Sequence, residues 1–251
     1  MSQSVLELDN VTTEFTSGWG RHRTVLAAMR RVTFDVRAGE TLGLVGESGS
    51  GKSTTASVAL GLHAPTAGAV RFLGKPFGRR QDRIGQIQAV PQNPLWSLDP
   101  RLRVGLSIAE PLAALDRSPL SNHQASVEAM LDQVRLDRAL AQRFPHELSG
   151  GQRQRITIAR ALITRPRFIV FDEAVSALDV SVQAQILNLI ADLQAEHGFG
   201  ALFISHDLAA VRYVAHRIAV MRLGEIVELA ETARFYAQPQ HDYSRQLLEA
   251  L

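Results

Sequence analysis

The segment TLGLVGESGSGKSTT, residues 41–55, decides the fold of this chain. Its first five residues form a short apolar run that predicts a buried strand, and a helix is predicted from Lys52 to about Leu62. Between them lies the pattern GxxxxGK[ST], whose glycines let successive backbone N–H groups point at one anion. Strand, glycine loop and helix in this order are the context that the pattern requires. The segment therefore predicts a loop that binds a nucleoside triphosphate rather than an ordinary Gly/Ser turn.

The use of lysine supports this interpretation. Lys52 and Lys75 are the only lysines, and every other basic side chain among the 27 Lys+Arg is arginine. A compact ammonium fits between phosphate oxygens where a planar guanidinium does not. Lys52 is thus predicted to bridge the β- and γ-phosphates, with the Ser53 hydroxyl on Mg²⁺. The predicted nucleotide contacts in the loop are Gly46, Ser48, Gly49, Ser50, Gly51, Lys52, Ser53 and Thr54.

Composition narrows the class of protein. The chain has 251 residues, of which 45% are hydrophobic and 21% charged, and its formal net charge is +2. These values are typical of a globular ATPase-sized domain and give no indication of a nucleic-acid partner. Cysteine is absent, which excludes disulfides and thiol catalysis. No signal peptide and no run of ~18 apolar residues is found, so work at a membrane would depend on a partner.

Strand and helix patterns alternate around the glycine loop. Alternating residues predict N-terminal strands at Val5–Asp9 and Val32–Val36. Apolar runs predict strands at Phe168–Phe171 and Ala201–Ile204, and an amphipathic helix lies between them at about Val182–Glu196. Alternation of this kind predicts an α/β fold with a parallel sheet covered on both faces.

The predicted organisation is a single domain, residues 1–251, with one insertion. Residues 1–94 and 164–251 form the ATPase core, which begins with a β-rich, antiparallel N-terminal part. Residues 95–163 form an inserted helical part, in which Val127, Met130, Leu131 and Val134 fall on one helical face.

Two carboxylates follow a buried strand. Asp172 and Glu173 come directly after the apolar run from Phe168 to Phe171. Ligands of open α/β sheets bind at this edge, the carboxyl ends of the strands. Asp172 is predicted to hold Mg²⁺ and Glu173 to polarise an attacking water. An Asp that merely ends a strand in a turn is the alternative, and the glycine loop argues against it.

The segment LSGGQ, residues 148–152, begins a second helix of interest. Ser149 is a typical N-cap residue, and capping alone would explain it. The start of this helix is also a second anion-binding terminus, far in sequence from the glycine loop. A chain with one nucleotide loop and two such helix ends predicts ATP held between two subunits.

Three further short motifs follow a fixed order along the chain. Gln92 lies in VPQNP, Asp179 ends SALD at 176–179, and His206 lies in ISHD. With LSGGQ and the glycine loop, they make the chain resemble the ATP-binding subunits of ABC transporters over essentially its whole length. The resemblance implies the ABC ATPase fold, the cofactors ATP and Mg²⁺, and Phe15 as the aromatic that stacks on adenine, with Trp19 as the alternative.

The same resemblance implies roles for these residues. Gln92 would reach Mg²⁺ and the attacking water, and His206 would bind the γ-phosphate and keep Glu173 aligned. Asp179 would position groups across the interface between two ATPase subunits. Contacts with the γ-phosphate held by the partner subunit fall to the signature residues Ser149, Gly151 and Gln152.

Further segments resemble the peptide and nickel importers within this family. They are residues 47–54, 93–101, 144–147, 177–186 and 238–243. The implied protein hydrolyses ATP at the cytoplasmic face of the cell membrane, with a second ATPase subunit, two membrane permease subunits and, indirectly, an extracytoplasmic solute-binding protein. The alternatives are an exporter ATPase and an ABC ATPase acting on nucleic acid or ribosomes. Exporters are usually fused to membrane spans, and the second group usually carries two ATPase cassettes or long coiled coils.

Overall fold

The structure is a computed structural model, which describes residues 4–17, 24–78 and 83–249. In these ranges the strands are β1 (Ser4–Ser17), β2 (Thr24–Arg37), β3 (Thr41–Val45), β4 (Ala67–Phe72), β5 (Lys75–Pro76), β6 (Ile87–Val90), β7 (Phe168–Asp172), β8 (Gly200–Ile204), β9 (Arg217–Arg222) and β10 (Glu225–Glu231). The helices are α1 (Lys52–Ala59), α2 (Val104–Asp116), α3 (Gln124–Gln133), α4 (Gly150–Leu162), α5 (Val180–His197), α6 (Leu208–Val214), α7 (Thr232–Ala237) and α8 (Asp242–Glu249).

The strands of the described ranges form two sheets. One has the order β2-β1-β4-β5 and is antiparallel throughout. The other has the order β10-β9-β3-β8-β7-β6, in which neighbours from β9 to β6 run parallel. The antiparallel N-terminal part and the mostly parallel core confirm the predicted fold class.

The core sheet is parallel except at one edge. β10 pairs with β9 in antiparallel orientation. The two strands are joined by Leu223 and Gly224, whose φ angles are 49° and 87°. Two successive residues with positive φ form the tight turn whose twist matches a β-hairpin. The chain therefore folds straight back instead of crossing over through a helix, and the core sheet is mixed.

The core sheet is buried on both faces. Phe168 and Val170 of β7 point into a core shared with α1 and the N-terminal sheet. Ile169 and Phe171 point into the opposite core, which contains α2 to α5. Successive strand residues face opposite sides, so a strand covered on both sides has to be apolar at every position. This explains why β7 and β8 are continuous apolar runs in the sequence.

The helical predictions agree with the structure apart from their ends. The apolar positions predicted for residues 127–134 and for the helix before β8 are all buried. α1 ends three residues before the predicted Leu62, and Gly61, with a φ of 68°, lies in the turn that follows. α5 starts at Val180, two residues earlier than predicted, and its C-cap is the left-handed Gly198. Between β6 and β7 the chain forms α2, α3 and α4 with four short 3₁₀ turns.

In the described ranges, no helix combines the length and apolar character that a membrane crossing requires.

Candidate active site

The glycine loop between β3 and α1 has a backbone that requires glycine. Gly46 and Gly51 have φ angles of 151° and 112°. A Cβ at Gly46 would lie 2.1 Å from the carbonyl oxygen of Met221, and one at Gly51 would lie 2.4 Å from that of Ala28. Any side chain at these two positions would collide with backbone, so the loop is held tightly against β2 and β9.

Lys52 is buried beneath the loop that it follows. Its Nζ donates hydrogen bonds to the carbonyl oxygens of Gly46 at 2.7 Å and Glu47 at 2.8 Å. Burial lowers the pKa of Lys52, while the charges of Glu173 and Asp172 oppose that shift. The ammonium is thus held by loop carbonyls close to two carboxylates, and a third donor position remains for a phosphate oxygen.

Asp172 and Glu173 lie at the carboxyl end of β7, as the sequence predicts. Burial and the neighbouring Glu173 raise the pKa of Asp172, and Lys52 lowers it in part. Glu173 adopts a left-handed backbone conformation with a φ of 48°, which costs about 1–2 kcal/mol for a residue with a Cβ. Its N–H donates to the Ile204 carbonyl at 2.9 Å, which holds the turn in place. Strain of this kind is common where a side chain is positioned for function.

The Glu173 carboxylate is held from two sides. Gln92 donates from Nε2 to one oxygen at 2.7 Å, and His206 Nδ1 lies 3.3 Å from the other. Gln92 and His206 come from segments 114 positions apart, after β6 and β8, the two strands that flank β7. The structure therefore brings together the three residues predicted to act in hydrolysis. Asp207, the residue after His206, accepts the N–H groups of Ala209 and Ala210 and caps α6.

A cleft of about 700 Å³ connects Lys52, Asp172, Glu173 and His206, and Gln92 is not among its described lining residues. Predicted site residues in its lining are Phe15, Ser48, Gly49, Gly51, Lys52, Ser53, Thr54, Asp172, Glu173 and His206. Gly46 and Ser50 were predicted as contacts but are absent from the described lining, and the Ser50 side chain is buried.

The outer end of the cleft has an aromatic and apolar wall. Phe15 is 43% exposed there, and its ring centroid lies 4.9 Å from that of His63. Trp19, the alternative aromatic, lies outside the described residues. Sequence reasoning missed the remaining wall, which is formed by Leu26, Ala27, Ala28, Arg30, Leu223 and Gly224. These residues belong to β2 and to the β9–β10 turn and form no recognisable motif.

The residues predicted to hold Mg²⁺ have suitable chemistry. Ser53, Asp172 and Gln92 offer a hydroxyl, a carboxylate and an amide oxygen, the hard donors that Mg²⁺ prefers. The described residues contain no group of three acidic or histidine side chains able to hold a metal alone. Mg²⁺ commonly binds through one or two carboxylates together with substrate phosphates, so this donor set fits. A partly buried carboxylate with a raised pKa, as at Asp172, is also expected where a cation would supply the missing charge.

The segment LSGGQ, residues 148–152, here called the signature segment, lies on a surface separate from the cleft. Ser149 Oγ accepts the N–H of Gln152 at 3.2 Å, and Gln152 Oε1 accepts the N–H of Ser149 at 2.9 Å, which forms a capping box at the start of α4. A Cβ at Gly151 would lie 2.7 Å from a methyl group of Val182. Glycine therefore allows the start of α4 to approach α5 closely.

This surface contains a depression of about 300 Å³. Its described lining is Ser149, Gly150, Gly151, Gln152, Arg155, Ala177, Leu178, Asp179, Val182 and Gln185. It shares no described residue with the cleft that contains Lys52. The predicted nucleotide contacts of one chain thus fall on two surfaces.

Comparison with known proteins identifies the class. The model of the ABC transporter family matches residues 29–176. A putative peptide import ATP-binding protein of Brucella abortus is 45% identical over 99% of this chain and 77% of its own length. The glutathione import ATP-binding protein GsiA of Pectobacterium atrosepticum is 44% identical over all of this chain, which spans 41% of that relative.

Two solved structures of ATP-binding cassettes or transporter components are similar to this chain in fold. The dimeric post-hydrolysis state of the ATP-binding cassette MJ0796, bound to ADP and Pi, is 28% identical with a TM-score of 0.78, over 90% of this chain and 98% of that one. The cbiO1 structure from Clostridium perfringens, part of an ABC transporter complex, is 22% identical with a TM-score of 0.81, over 94% of this chain and 92% of that one.

This chain belongs to the ABC transporter family and is an ABC ATPase, an ATP-binding protein of that family. The predicted resemblance to the importer branch is confirmed, because these relatives are named as peptide or glutathione import proteins.

Proposed function

We propose that this chain is the ATP-hydrolysing subunit of an importer for peptides or a peptide-like solute such as glutathione. It binds Mg·ATP, pairs with a second ATPase subunit and docks on two membrane permease subunits at the cytoplasmic face of the membrane. A solute-binding protein on the other side delivers the solute.

One observation carries the hydrolytic part of the proposal. The Glu173 carboxylate is oriented by Gln92 and His206 at the edge of the cleft that also contains Lys52. A carboxylate held in this way can orient a water molecule and accept its proton, which contributes ~10²–10⁴-fold to a rate. Lys52 and the loop amides stabilise the negative charge of the phosphates. Catalysis of phosphoryl transfer consists mostly of such positioning and charge stabilisation.

The remaining groups complete the site. Asp172, Ser53 and Gln92 would hold Mg²⁺, which neutralises phosphate charge when bound. The aromatic ring of Phe15 offers a stacking face for adenine beside apolar walls. His206 is exposed and lies against Glu173, so it is placed to donate a hydrogen bond to a γ-phosphate.

Two ATPase subunits would share each ATP. The depression at the start of α4 presents free helix N–H groups and the Ser149 side chain, and its lining contains no carboxylate other than Asp179 among the described residues. The described lining of the cleft around Lys52 contains none of the residues of this depression. A second copy or a homologue that sets its signature surface over the cleft would supply them. The dimeric form named for MJ0796 supports this arrangement.

The relatives support the choice of solute and of an importer. Their names specify peptide and glutathione import, which favours these solutes over the nickel that the sequence left open. The same names favour an importer over an exporter or a nucleic-acid-associated ATPase.

The experiment is reconstitution of the complex. The tagged chain is purified from its native membranes, the co-purifying membrane subunits are identified, and the complex is placed in proteoliposomes with its solute-binding protein. Peptide and glutathione are tested separately as stimulants of ATP hydrolysis, with the Glu173→Gln complex as control. We expect ATP-dependent uptake of one of the two. A complex that hydrolyses ATP without membrane subunits bound, or that is stimulated only by nucleic acid or ribosomes, would overturn the proposal.

A further inference from the structure

The C-terminal segment, residues 232–249, packs against the glycine loop. Glu228 of β10 is buried, and its carboxylate accepts the N–H groups of Gln240 and His241, each at 2.9 Å. Burial works against ionisation of this carboxyl, but these hydrogen bonds outweigh it and lower the pKa of Glu228. An ionised side chain thus fixes the turn that leads into α8.

The first turn of α8 places Tyr243 beneath the phosphate loop. The residue is 2% exposed, and the guanidinium of Arg222 lies 4.8 Å from its ring centroid. Its hydroxyl oxygen accepts the backbone N–H of Glu47 at 3.0 Å. Burial raises the pKa of Tyr243, so the phenol stays protonated at neutral pH. The bond joins residues 196 positions apart in the sequence.

The peptide that Tyr243 holds is the one that holds Lys52. The N–H of Glu47 and the C=O of Gly46 belong to the same peptide unit, and in a trans peptide they point in opposite directions. Tyr243 Oη binds the N–H, and Lys52 Nζ donates to the C=O at 2.7 Å. A rotation of this peptide would break both hydrogen bonds together.

We propose that Tyr243 is a positioning residue for ATP binding: its hydroxyl fixes the Gly46–Glu47 peptide and thereby the place of the Lys52 ammonium. The inference rests on the proposed binding of ATP by the loop. Tyr243 itself touches no nucleotide, because its hydroxyl lies on the side of the peptide opposite to Lys52. The C-terminal segment is then a part of the nucleotide site.

The ring and the hydroxyl can be separated by mutation. Tyr243→Phe keeps the ring beneath Arg222 and removes the hydroxyl, which is the acceptor for the Glu47 N–H. Tyr236→Phe is a matched control, since Tyr236 also carries an arginine, Arg212, over its ring at 4.9 Å, and its hydroxyl donates to the Leu208 carbonyl at 2.5 Å, away from the loop. Both variants lose one tyrosine hydroxyl of the C-terminal region.

The measurement is the NMR chemical shift of the Lys52 side chain. With ¹³Cε-labelled lysine, the full chain shows two side-chain signals, from Lys52 and Lys75, and Lys75→Arg assigns them. In the nucleotide-free protein we expect Tyr243→Phe to shift the Lys52 signal and Tyr236→Phe to leave it in place. The affinity for Mg·ATP should fall about five- to tenfold in Tyr243→Phe only, which is the effect of one hydrogen bond.

The outcomes are distinct. An unchanged Lys52 signal with unchanged ATP affinity in a folded Tyr243→Phe protein would overturn the inference, while ATP binding by the wild type would leave the proposed function intact. If Tyr243→Phe does not fold, Glu228→Gln serves instead, because it loosens the segment and keeps the hydroxyl. In Glu228→Gln we expect the Lys52 signal to move by less than in Tyr243→Phe. An unchanged Lys52 signal in Glu228→Gln would contradict the proposal.

Discussion

The surface around Lys52 and the surface at the start of α4 differ in how their polar groups are paired. Around Lys52, one ammonium, two carboxylates, a glutamine and a histidine lie in or beside one cleft. Gln92 and His206 contact the Glu173 carboxylate, and Lys52 donates to loop carbonyls. At the start of α4, the side chains of Ser149 and Gln152 each accept the other's backbone N–H in a capping box. The first surface has the groups that we propose to cleave a phosphate bond, and the second has a helix N-terminus that can bind an anion, beside Asp179. This difference is the basis of our proposal that the first surface performs hydrolysis after the second, from another subunit, covers it.

The largest expected effect concerns Glu173. Glu173→Gln keeps the shape of the side chain but replaces one of the two oxygens that face Gln92 and His206 with an NH₂ group, and it cannot accept a proton. We expect hydrolysis in the assembled complex to fall by ~10²–10⁴-fold while Mg·ATP affinity stays near the wild-type value, and the ATP-bound dimer to accumulate. Turnover is measured by phosphate release and affinity by calorimetry.

Glu225→Gln is the matched control, because Glu225 is an exposed glutamate in the β9–β10 hairpin. Near-normal turnover in Glu173→Gln would mean that the water is activated elsewhere, and the contrast between the two surfaces would lose its chemical basis.

A smaller effect is expected at the adenine end of the cleft. Phe15→Ala removes the exposed ring and should weaken ATP binding by roughly 1–3 kcal/mol, with only modest selectivity between ATP and GTP. Fluorescence titration with both nucleotides gives the affinities. Trp19→Ala is the comparison: loss of affinity in that variant, with Phe15→Ala unchanged, would assign the stacking to the other aromatic.

The smallest effect concerns stability. The pKa of Glu228 is lowered in the folded chain, so its contribution is present above the unfolded value of ~4.3 and is lost as the pH falls through the folded value. Glu228→Gln should lower the free energy of unfolding by about 1–2 kcal/mol at neutral pH. Thermal unfolding from pH 7 to 3 should show the difference from wild type disappear on the acidic side. A constant difference across this range would show that the carboxylate acts by packing alone.

Much of the site follows from sequence because its chemistry is local. The glycine loop, the carboxylates after β7 and the serine that caps α4 each depend on a few consecutive residues. Asp172 and Glu173, for example, need only an apolar strand before them and the edge of a parallel sheet. Such segments predict their own conformation and their own ligand.

The rest depends on contacts between distant segments. The hairpin turn at Leu223 and Gly224 carries no Asn-Gly or Asp-Gly signal, so the antiparallel edge was not predicted. His63, which follows α1, packs on Phe15 of β1, and no local pattern in the sequence predicts that these two segments meet. The bond from Glu47 to Tyr243 spans most of the chain, and a tyrosine near a C-terminus has no local pattern that indicates a partner in the phosphate loop.

The central claim is that the two surfaces meet across a subunit interface, and two arrangements of the same two mutations test it. Lys52→Ala damages the cleft and Ser149→Arg the signature surface. In a dimer of two differently tagged copies, both carrying Glu173→Gln to trap ATP, the mutations are placed either on separate chains or together on one chain, and trapped ATP is counted.

If sites are shared, mutations on separate chains fall in one site and leave the other intact, so this dimer traps about half of the ATP trapped by the dimer carrying Glu173→Gln alone. Mutations together on one chain then damage both sites, and little ATP is trapped. The reverse order, with more ATP trapped when both mutations are on one chain, would show that each chain completes its own site and would contradict the account.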